Sequence, residues 1–438
     1  MTRKIFRAGK KNWFLAAVAI VLTLAIILYL IFQAIPYYAI FLFVNFFFLY
    51  VEIVYLLKFK EKQSQISIDH FPTLSIIVPV YNSAKTLERS IKAIKSLNYP
   101  KRYEIIVIED NSTDESSKIL KRFSGLKIIT TKKNIGKAAS LNLGLRVAKG
   151  ELIATIDSDT FPSKDSVEKM VRLFSENKIG AVVALICTDK PKNFLQQIQE
   201  VEYFVGNGFT QASYDKLESV FITPGPLSIY RKEALLKIGG FDEDNIAEDM
   251  EIGLKLRAYG YRVISTMDAV AYTDTPDTLK RLYHQRIRWF RGAIYNGKKY
   301  FFMLFNRKYG TFGKFVFPVT YLIQLFSITV IARLLSLYLE GIIGFLAILF
   351  NVIAVPSNVL AQTLALFFLK FETTIIFSIS AFLVWGYVIF TSFELAKRKI
   401  EKRHLLPIFI FMTIYPFCLS IIYFISFIKE VSSSESKW

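Results

Sequence analysis

Apolar residues along this chain fall into three regimes. From 12 to 35 ("NWFLAAVAIVLTLAIILYLIFQAI") and from 37 to 59 they are almost continuous. Each run supplies roughly 20 apolar residues, enough for a helix to cross a bilayer's hydrocarbon. The first is too long, and too directly followed by the second, for a cleaved leader. From 313 to 427 the chain is apolar again, with expected spans at about 313–336, 340–356, 373–393 and 405–427. The segment 357–370, after Pro356, is short for a span and is expected to lie at the interface.

Between 60 and about 275 the period changes. "LSIIVPVY" (74–81) has the pattern of a buried strand, and "AKTLERSIKAIKSL" (84–97) repeats apolar residues at helical spacing. "YEIIVIED" (103–110), "LKIITT" and "ELIATIDSD" predict further strands. The stretches "DESSKILKRF" and "GKAASLNLGLRVA" between them predict helices. Strands alternating with helices predict an α/β domain, a mostly parallel sheet covered on both faces. Such sheets bind ligands beyond the carboxyl ends of their strands.

Charge orients the spans. Arg3, Lys4, Arg7, Lys10 and Lys11 precede the first, which places the N-terminus, and with it the domain from residue 60, in the cytoplasm. "AKRKIEKRH" (396–404) is also expected inside. Four C-terminal spans put that loop outside, whereas five return it inside and leave the C-terminus outside. Because 357–370 is short, four spans are expected. The net charge of +19 and the 53% of hydrophobic residues fit a multi-pass protein facing anionic lipid. The basic residues are scattered and form no aromatic-interleaved stripe, so nucleic acid is not an expected partner. Cys187 and Cys418, far apart, suit neither a disulfide framework nor a metal site.

Acidic residues gather where strands end. One strand runs into Asp110, Asn111, Ser112 and Asp114, and another into Asp157, Ser158 and Asp159. Residues two apart in an extended chain point the same way, so Asp157 and Asp159 are expected to share one side. Like charges held together call for a cation, and hard oxygen donors favour Mg²⁺ or Mn²⁺ completed by substrate phosphates. Alone, D-x-D equally describes a solvated turn. Glu248 and Asp249 open the helical "EDMEIGLKLRAYG", where acids ordinarily act as helix-dipole partners.

Taken in order, "SIIVPVYN", "VIEDNSTD", "NIGKAASLNLGL", "IDSD", "GPLSIYRKEALLKIGGFDE", "AEDMEIGLKL" and "QRIRW" resemble the membrane-integrated processive glycosyltransferases of family 2. These include hyaluronan, chitin, cellulose and poly-N-acetylglucosamine synthases. The sequence departs at Asn82, where Glu is common, at Pro224, and at Ala247, where Thr often precedes the acidic pair. The resemblance implies a glycosyltransferase A (Rossmann-like) fold between N- and C-terminal membrane helices. It also implies a UDP-sugar donor, a polysaccharide acceptor and an inverting, metal-dependent transfer at the cell membrane. By it, Pro79, Tyr81, Asp110, Lys137, Asp157, Gln285 and Arg288 contact the nucleotide, Asp110 at the uracil. Asp157 and Asp159 hold the metal and Asp249 is the general base. Gly225, Pro226, Glu248 and Trp289 face the acceptor.

The implied domains are two spans in 1–59, a cytoplasmic transferase in 60–275, interfacial helices in 276–312, spans in 313–427 and a tail in 428–438. Helical projection adds detail to "HQRIRWFRGA" (284–293). Leu279, Leu282, Tyr283, Ile287, Phe290 and Ile294 form one stripe, expected toward lipid or the first pair of spans. Gln285, Arg288, Trp289 and Gly292 fall opposite, with Arg288 expected on a diphosphate and Trp289 under an acceptor sugar. Transfer of one sugar to a polyprenyl phosphate or lipid is the alternative within this chemistry. A transporter with a nucleotide-binding domain is disfavoured by the scarcity of ionisable residues in the spans. The sugar and any accessory subunit are not legible.

Overall fold

The structure is a computed structural model and describes residues 71–324 and 382–432, with the isolated positions 49, 50, 52, 53, 339 and 379. The expected spans 12–35 and 340–356 and the segment 357–370 lie outside the described residues, as do much of 37–59, 313–336 and 373–393. The chain divides into two compact units, Met1–Val51 with Leu325–Val384, and Glu52–Gln324 with Trp385–Trp438. The second unit carries the strands and the helices around them.

Its centre is one eight-stranded sheet. The strands are β1 (Leu74–Val80), β2 (Glu104–Glu109), β3 (Leu126–Thr130), β4 (Leu152–Thr155), β5 (Thr160–Pro162), β6 (Ile179–Thr188), β7 (Ser228–Arg231) and β8 (Arg262–Thr273). Their order is β3-β2-β1-β4-β7-β6-β8-β5. The β3-β2-β1-β4 half is parallel, as the strand–helix alternation predicts. The other half is mixed: β7 runs antiparallel to β4 and β6, and β5 runs antiparallel to β8. Beyond residue 160 the strict strand–helix alternation lapses, and antiparallel neighbours need no right-handed crossover.

The continuous apolar strands are buried on both faces. On β1, Ile76, Val78 and Val80 pack with Leu87, Ile91 and Ile94 of the helix Ala84–Lys95. Ile77 points the other way, to Ala138, Leu141 and Leu145 of the helix Lys137–Val147. Each such side chain contributes roughly 1.5–3 kcal/mol on burial.

Among the described residues one helix, Lys402–Val431, is long and apolar enough to cross a membrane, with mean hydropathy 2.3. One side packs on this unit and the other leaves Leu405, Leu406, Phe409 and Phe417 exposed. The Phe290 and Tyr423 rings meet edge-on at 5.3 Å. Leu282 and Ile287 are also buried, so the apolar stripe of the helix Leu279–Lys299 is covered at least in part by this last helix. That partner was not anticipated, and Leu279, on the same stripe, is exposed.

The basic loop before the last helix packs on the sheet domain. Lys397 Nζ lies 2.8 Å from Asp268, and Arg398 donates to the Tyr272 hydroxyl at 3.2 Å. The loop therefore sits beside the sheet domain.

Candidate active site

The D-x-D motif is not an extension of its strand. β4 ends at Thr155, and Asp157–Ser158–Asp159 form a turn closed by the Thr160 N–H on the Asp157 carbonyl at 3.0 Å. The expectation that two carboxylates share the face of an extended strand is thereby corrected. The turn is held from the loop after β1, where the Ser83 and Ser158 hydroxyls meet at 2.6 Å. Thr86 Oγ1 also donates to the Ser158 carbonyl at 3.2 Å.

Lys137 joins this turn to the acidic pair. Its ammonium lies 2.6 Å from Asp157 Oδ1 and 2.9 Å from Glu248 Oε1. Burial works against that charge, but the carboxylates of Asp157, Glu248 and Asp249 outweigh it and raise the Lys137 pKa. Gly225 closes the site from the next loop. A Cβ there would stand 2.5 Å from Lys137 Nζ and 2.6 Å from Asp157 Oδ2, so a larger residue would displace the ion pair.

Lys137 is aimed by the residue before it. Gly136 adopts φ +86°, a conformation glycine takes without strain, and opens the helix Lys137–Val147. Asp110 Oδ2 accepts the Gly136 N–H at 2.9 Å. Its Oδ1 accepts Ile135 N–H at 2.8 Å and the Thr131 hydroxyl at 2.9 Å. Asp110 is thus turned inward as the anchor of the loop that delivers Lys137. Pro79 and Tyr81 stand at the end of β1, with Tyr81 exposed.

Glu248 and Asp249 begin the helix Glu248–Ala258. Burial, with the neighbouring Glu248 charge, pushes the Asp249 carboxyl up to about 6 against the pull of Lys137 and Arg288. Glu248 moves the other way: burial is outweighed by the charges of Lys137 and Arg288. One acid of the pair is therefore held as an anion and the other is poised near neutrality. The Asp249 carbonyl is gripped by the Thr223 hydroxyl at 2.7 Å and the Thr223 N–H at 3.1 Å.

The helix Leu279–Lys299 completes the site. Arg288 acts electrostatically on both acids. Arg286, one residue before the apolar stripe's Ile287, is fully buried: it pairs with Glu202 and Gln285 and stacks over the Trp289 ring at 4.2 Å. Tyr415 of the last helix donates to the same Glu202 oxygen at 2.7 Å. One face of Trp289 is therefore taken by a guanidinium, and the indole also packs on the sheet's core. Gln285 is tied into this network, and Pro226, beside Gly225, is half-buried.

The acidic turn suits a divalent cation. Burial and the Asp157 charge raise the Asp159 carboxyl to about 6, an electrostatic demand that a nearby cation relieves. Among the described residues no third His, Cys, Asp or Glu joins the pair.

The structure thus brings together Lys137, Asp157, Glu248, Asp249, Gly225 and Arg288 from five separate segments. The sequence reading missed Ser83, Thr86, Thr223, Glu202 and Arg286. Apart from the neighbours of Arg286 on its own helix, the partners that tie them into the site are 26 to 213 residues away, a separation that leaves no local pattern.

Comparison with known proteins gives the same outline. The profile of the family described as Glycosyl transferase family 2 matches residues 75–239. The chain is 30% identical over 315 residues to the probable glycosyltransferase YdaM of Bacillus subtilis (strain 168), covering 68% of this chain and 73% of that protein. It is 29% identical over 237 residues to the poly-β-1,6-N-acetyl-D-glucosamine synthase of Staphylococcus aureus (strain COL). That match covers 53% of this chain and 57% of the synthase, so the chain spans little more than half of that relative. Among solved structures, the mannosyltransferase PcManGT from Pyrobaculum calidifontis in complex with GDP-Man and Mn²⁺ superposes with a TM-score of 0.59 at 21% identity. The superposition covers 83% of this chain and 97% of that one and is a likeness of fold.

Proposed function

The chain belongs to glycosyl transferase family 2, and from that premise we propose that it moves a sugar from a UDP-sugar to a growing β-linked polysaccharide with inversion at the anomeric carbon. It is a glycosyltransferase with an α/β, glycosyltransferase A-like fold and a mixed sheet. One observation carries the proposal: Lys137 bridges the D-x-D turn to the acidic pair, next to a carboxyl poised near 6.

Asp249 takes the proton of the acceptor hydroxyl as that oxygen attacks C1 of the donor sugar. The C1–O bond to the diphosphate breaks with its electron pair, and UDP leaves. A single in-line displacement inverts the carbon. Lys137 and Arg288 lie where negative charge develops on the leaving diphosphate. Asp157 and Asp159 would hold Mg²⁺ or Mn²⁺, which would supply further neutralisation of that charge. The pull of Lys137 and Arg288 keeps Asp249 from rising further, so at neutral pH it is mostly ionised and able to accept a proton.

The acceptor is held at Gly225, Pro226, Glu248 and the face of Trp289 away from Arg286, and Pro79, Tyr81, Asp110 and Gln285 border the nucleotide. The apolar runs on either side of the transferase support a multi-pass arrangement in the cell membrane. In it 1–59 and 313–427 span, 276–312 lies at the interface, and the polymer passes outward as it grows. The kinship with a poly-β-1,6-N-acetyl-D-glucosamine synthase makes UDP-N-acetylglucosamine the first donor to try.

The test is UDP release by the purified protein in detergent with Mn²⁺, over UDP-N-acetylglucosamine, UDP-glucose and UDP-glucuronate, with the product sized on a gel. Long products support the proposal. A product carrying one sugar on a lipid overturns the polymerase, and the absence of UDP release with every donor overturns the UDP-sugar reading.

A further inference from the structure

Asn296 sits in the last turns of the helix Leu279–Lys299 and is fully buried. Asparagine is a poor helix former, and an unpaired buried amide is destabilising, so its partners matter. They lie immediately before the acidic pair. Asn296 Oδ1 accepts from Asn245 Nδ2 at 2.7 Å, and its Nδ2 donates to the Ala247 carbonyl at 3.4 Å. Asn245, itself buried, accepts the Ala247 N–H on Oδ1 at 3.0 Å. Both polar groups of Ala247 are thus held between two carboxamides.

The same helix presses on Ala247 one turn earlier. A Cβ added at Gly292 would stand 2.3 Å from the Ala247 Cβ, so the two backbones have no room between them. One turn further on, Lys299 Nζ reaches Asp242 at 2.5 Å and Glu251 at 2.6 Å, and the Tyr300 hydroxyl donates to Glu251 at 2.7 Å. Gln285, Arg288, Trp289, Gly292 and Asn296 project on one side at roughly 100° per residue. The helix that carries Arg288 and Trp289 is therefore welded to the first residue before Glu248 and Asp249.

We propose that Asn296, through Asn245 and the Ala247 peptide, is a positioning residue that sets the Asp249 carboxylate against Arg288 and the acceptor hydroxyl. The proposal rests on Asp249 being the general base. Asn296 touches no reacting atom. It fixes the backbone from which the base projects, while Thr223 holds the Asp249 carbonyl from the other side. A displacement of about 1 Å at a reacting group costs on the order of 100-fold in rate, and Ala247 is the hinge through which such a displacement would arise.

The experiment compares Asn296→Leu, the double variant Asn245→Leu with Asn296→Leu, and Asp249→Asn in the full-length protein in detergent. UDP affinity, donor KM, kcat and thermal midpoint are measured for each. The single variant orphans Asn245 and lowers the midpoint. The double variant removes the orphaned carboxamide but leaves the Ala247 N–H without Asn245 Oδ1, so it recovers only part of that loss. In both, kcat falls about 10-fold or more while UDP affinity and donor KM stay within about twofold of wild type. A double variant that is stable and turns over at the wild-type rate overturns the proposal and leaves a packing contact. Collapse of Asp249→Asn beside unchanged Asn296 variants overturns only the positioning role. Retained turnover in Asp249→Asn removes the base itself and, with it, what Asn296 would position.

Discussion

The ammonium of Lys137 and the carboxylate of Asp157 stand 2.6 Å apart, each largely withdrawn from water. The same ammonium reaches Glu248, so a single cation ties the turn after β4 to the start of the helix Glu248–Ala258. Glu248 is buried, so removing the ammonium leaves its charge uncompensated.

Lys137→Met is therefore expected to lower both the thermal midpoint and the affinity for UDP. Differential scanning fluorimetry with and without UDP reads both. Unchanged values would mean that Lys137 is dispensable to the site.

Asp159 is held near 6 by burial and by the charge of Asp157, a condition that a bound cation relieves. Asp159→Asn is expected to abolish the Mn²⁺-dependent part of UDP binding while sparing the part measured in EDTA. Titration calorimetry in both media decides this. If Mn²⁺ strengthens UDP binding in the variant as it does in wild type, the pair is a structural turn.

The acidic limb of activity follows from Asp249. Its carboxyl is raised to about 6, and only the ionised form accepts a proton, so the active fraction grows as pH rises through that value. Turnover should fall about tenfold per pH unit well below 6 and level off above 7. Asp249→Asn should lose about 10²–10⁴-fold in kcat at every pH, with donor binding preserved. A pH-independent rate between 5 and 8 would argue against this base.

Trp289 has one face against the Arg286 guanidinium. If its other face receives the acceptor, Trp289→Ala should shorten the product much more than it weakens UDP binding, since such stacking is worth on the order of 1 kcal/mol. Full-length product at the normal rate would reduce the indole to a packing residue.

Much of the transferase half is legible without coordinates because its signals are local. Continuous apolar runs at 74–80 and 104–109 mark strands buried on both sides, and helical spacing marks Ala84–Lys95 and Leu279–Lys299. Strand ends point to Asp110, Asp157 and Asp159, because a parallel sheet gathers ligands there. Local pattern carries no information on what lies across the fold. It aligned the D-x-D carboxylates on a strand that in fact ends two residues before Asp157. Nor does it show that the Asp110 carboxylate accepts from Thr131, Ile135 and Gly136 in the loop before Lys137.

Which cation meets Asp157, which helix covers Phe290 and which amides hold Ala247 depend on contacts between residues 20 to 133 apart. The last two are made by the packing of the helix Leu279–Lys299 on the last helix and on the residue before the acidic pair. A buried Arg286 or Asn296 reads in sequence like any polar residue on a basic helix, and only burial, which follows from tertiary packing, forces each to find the partners it has.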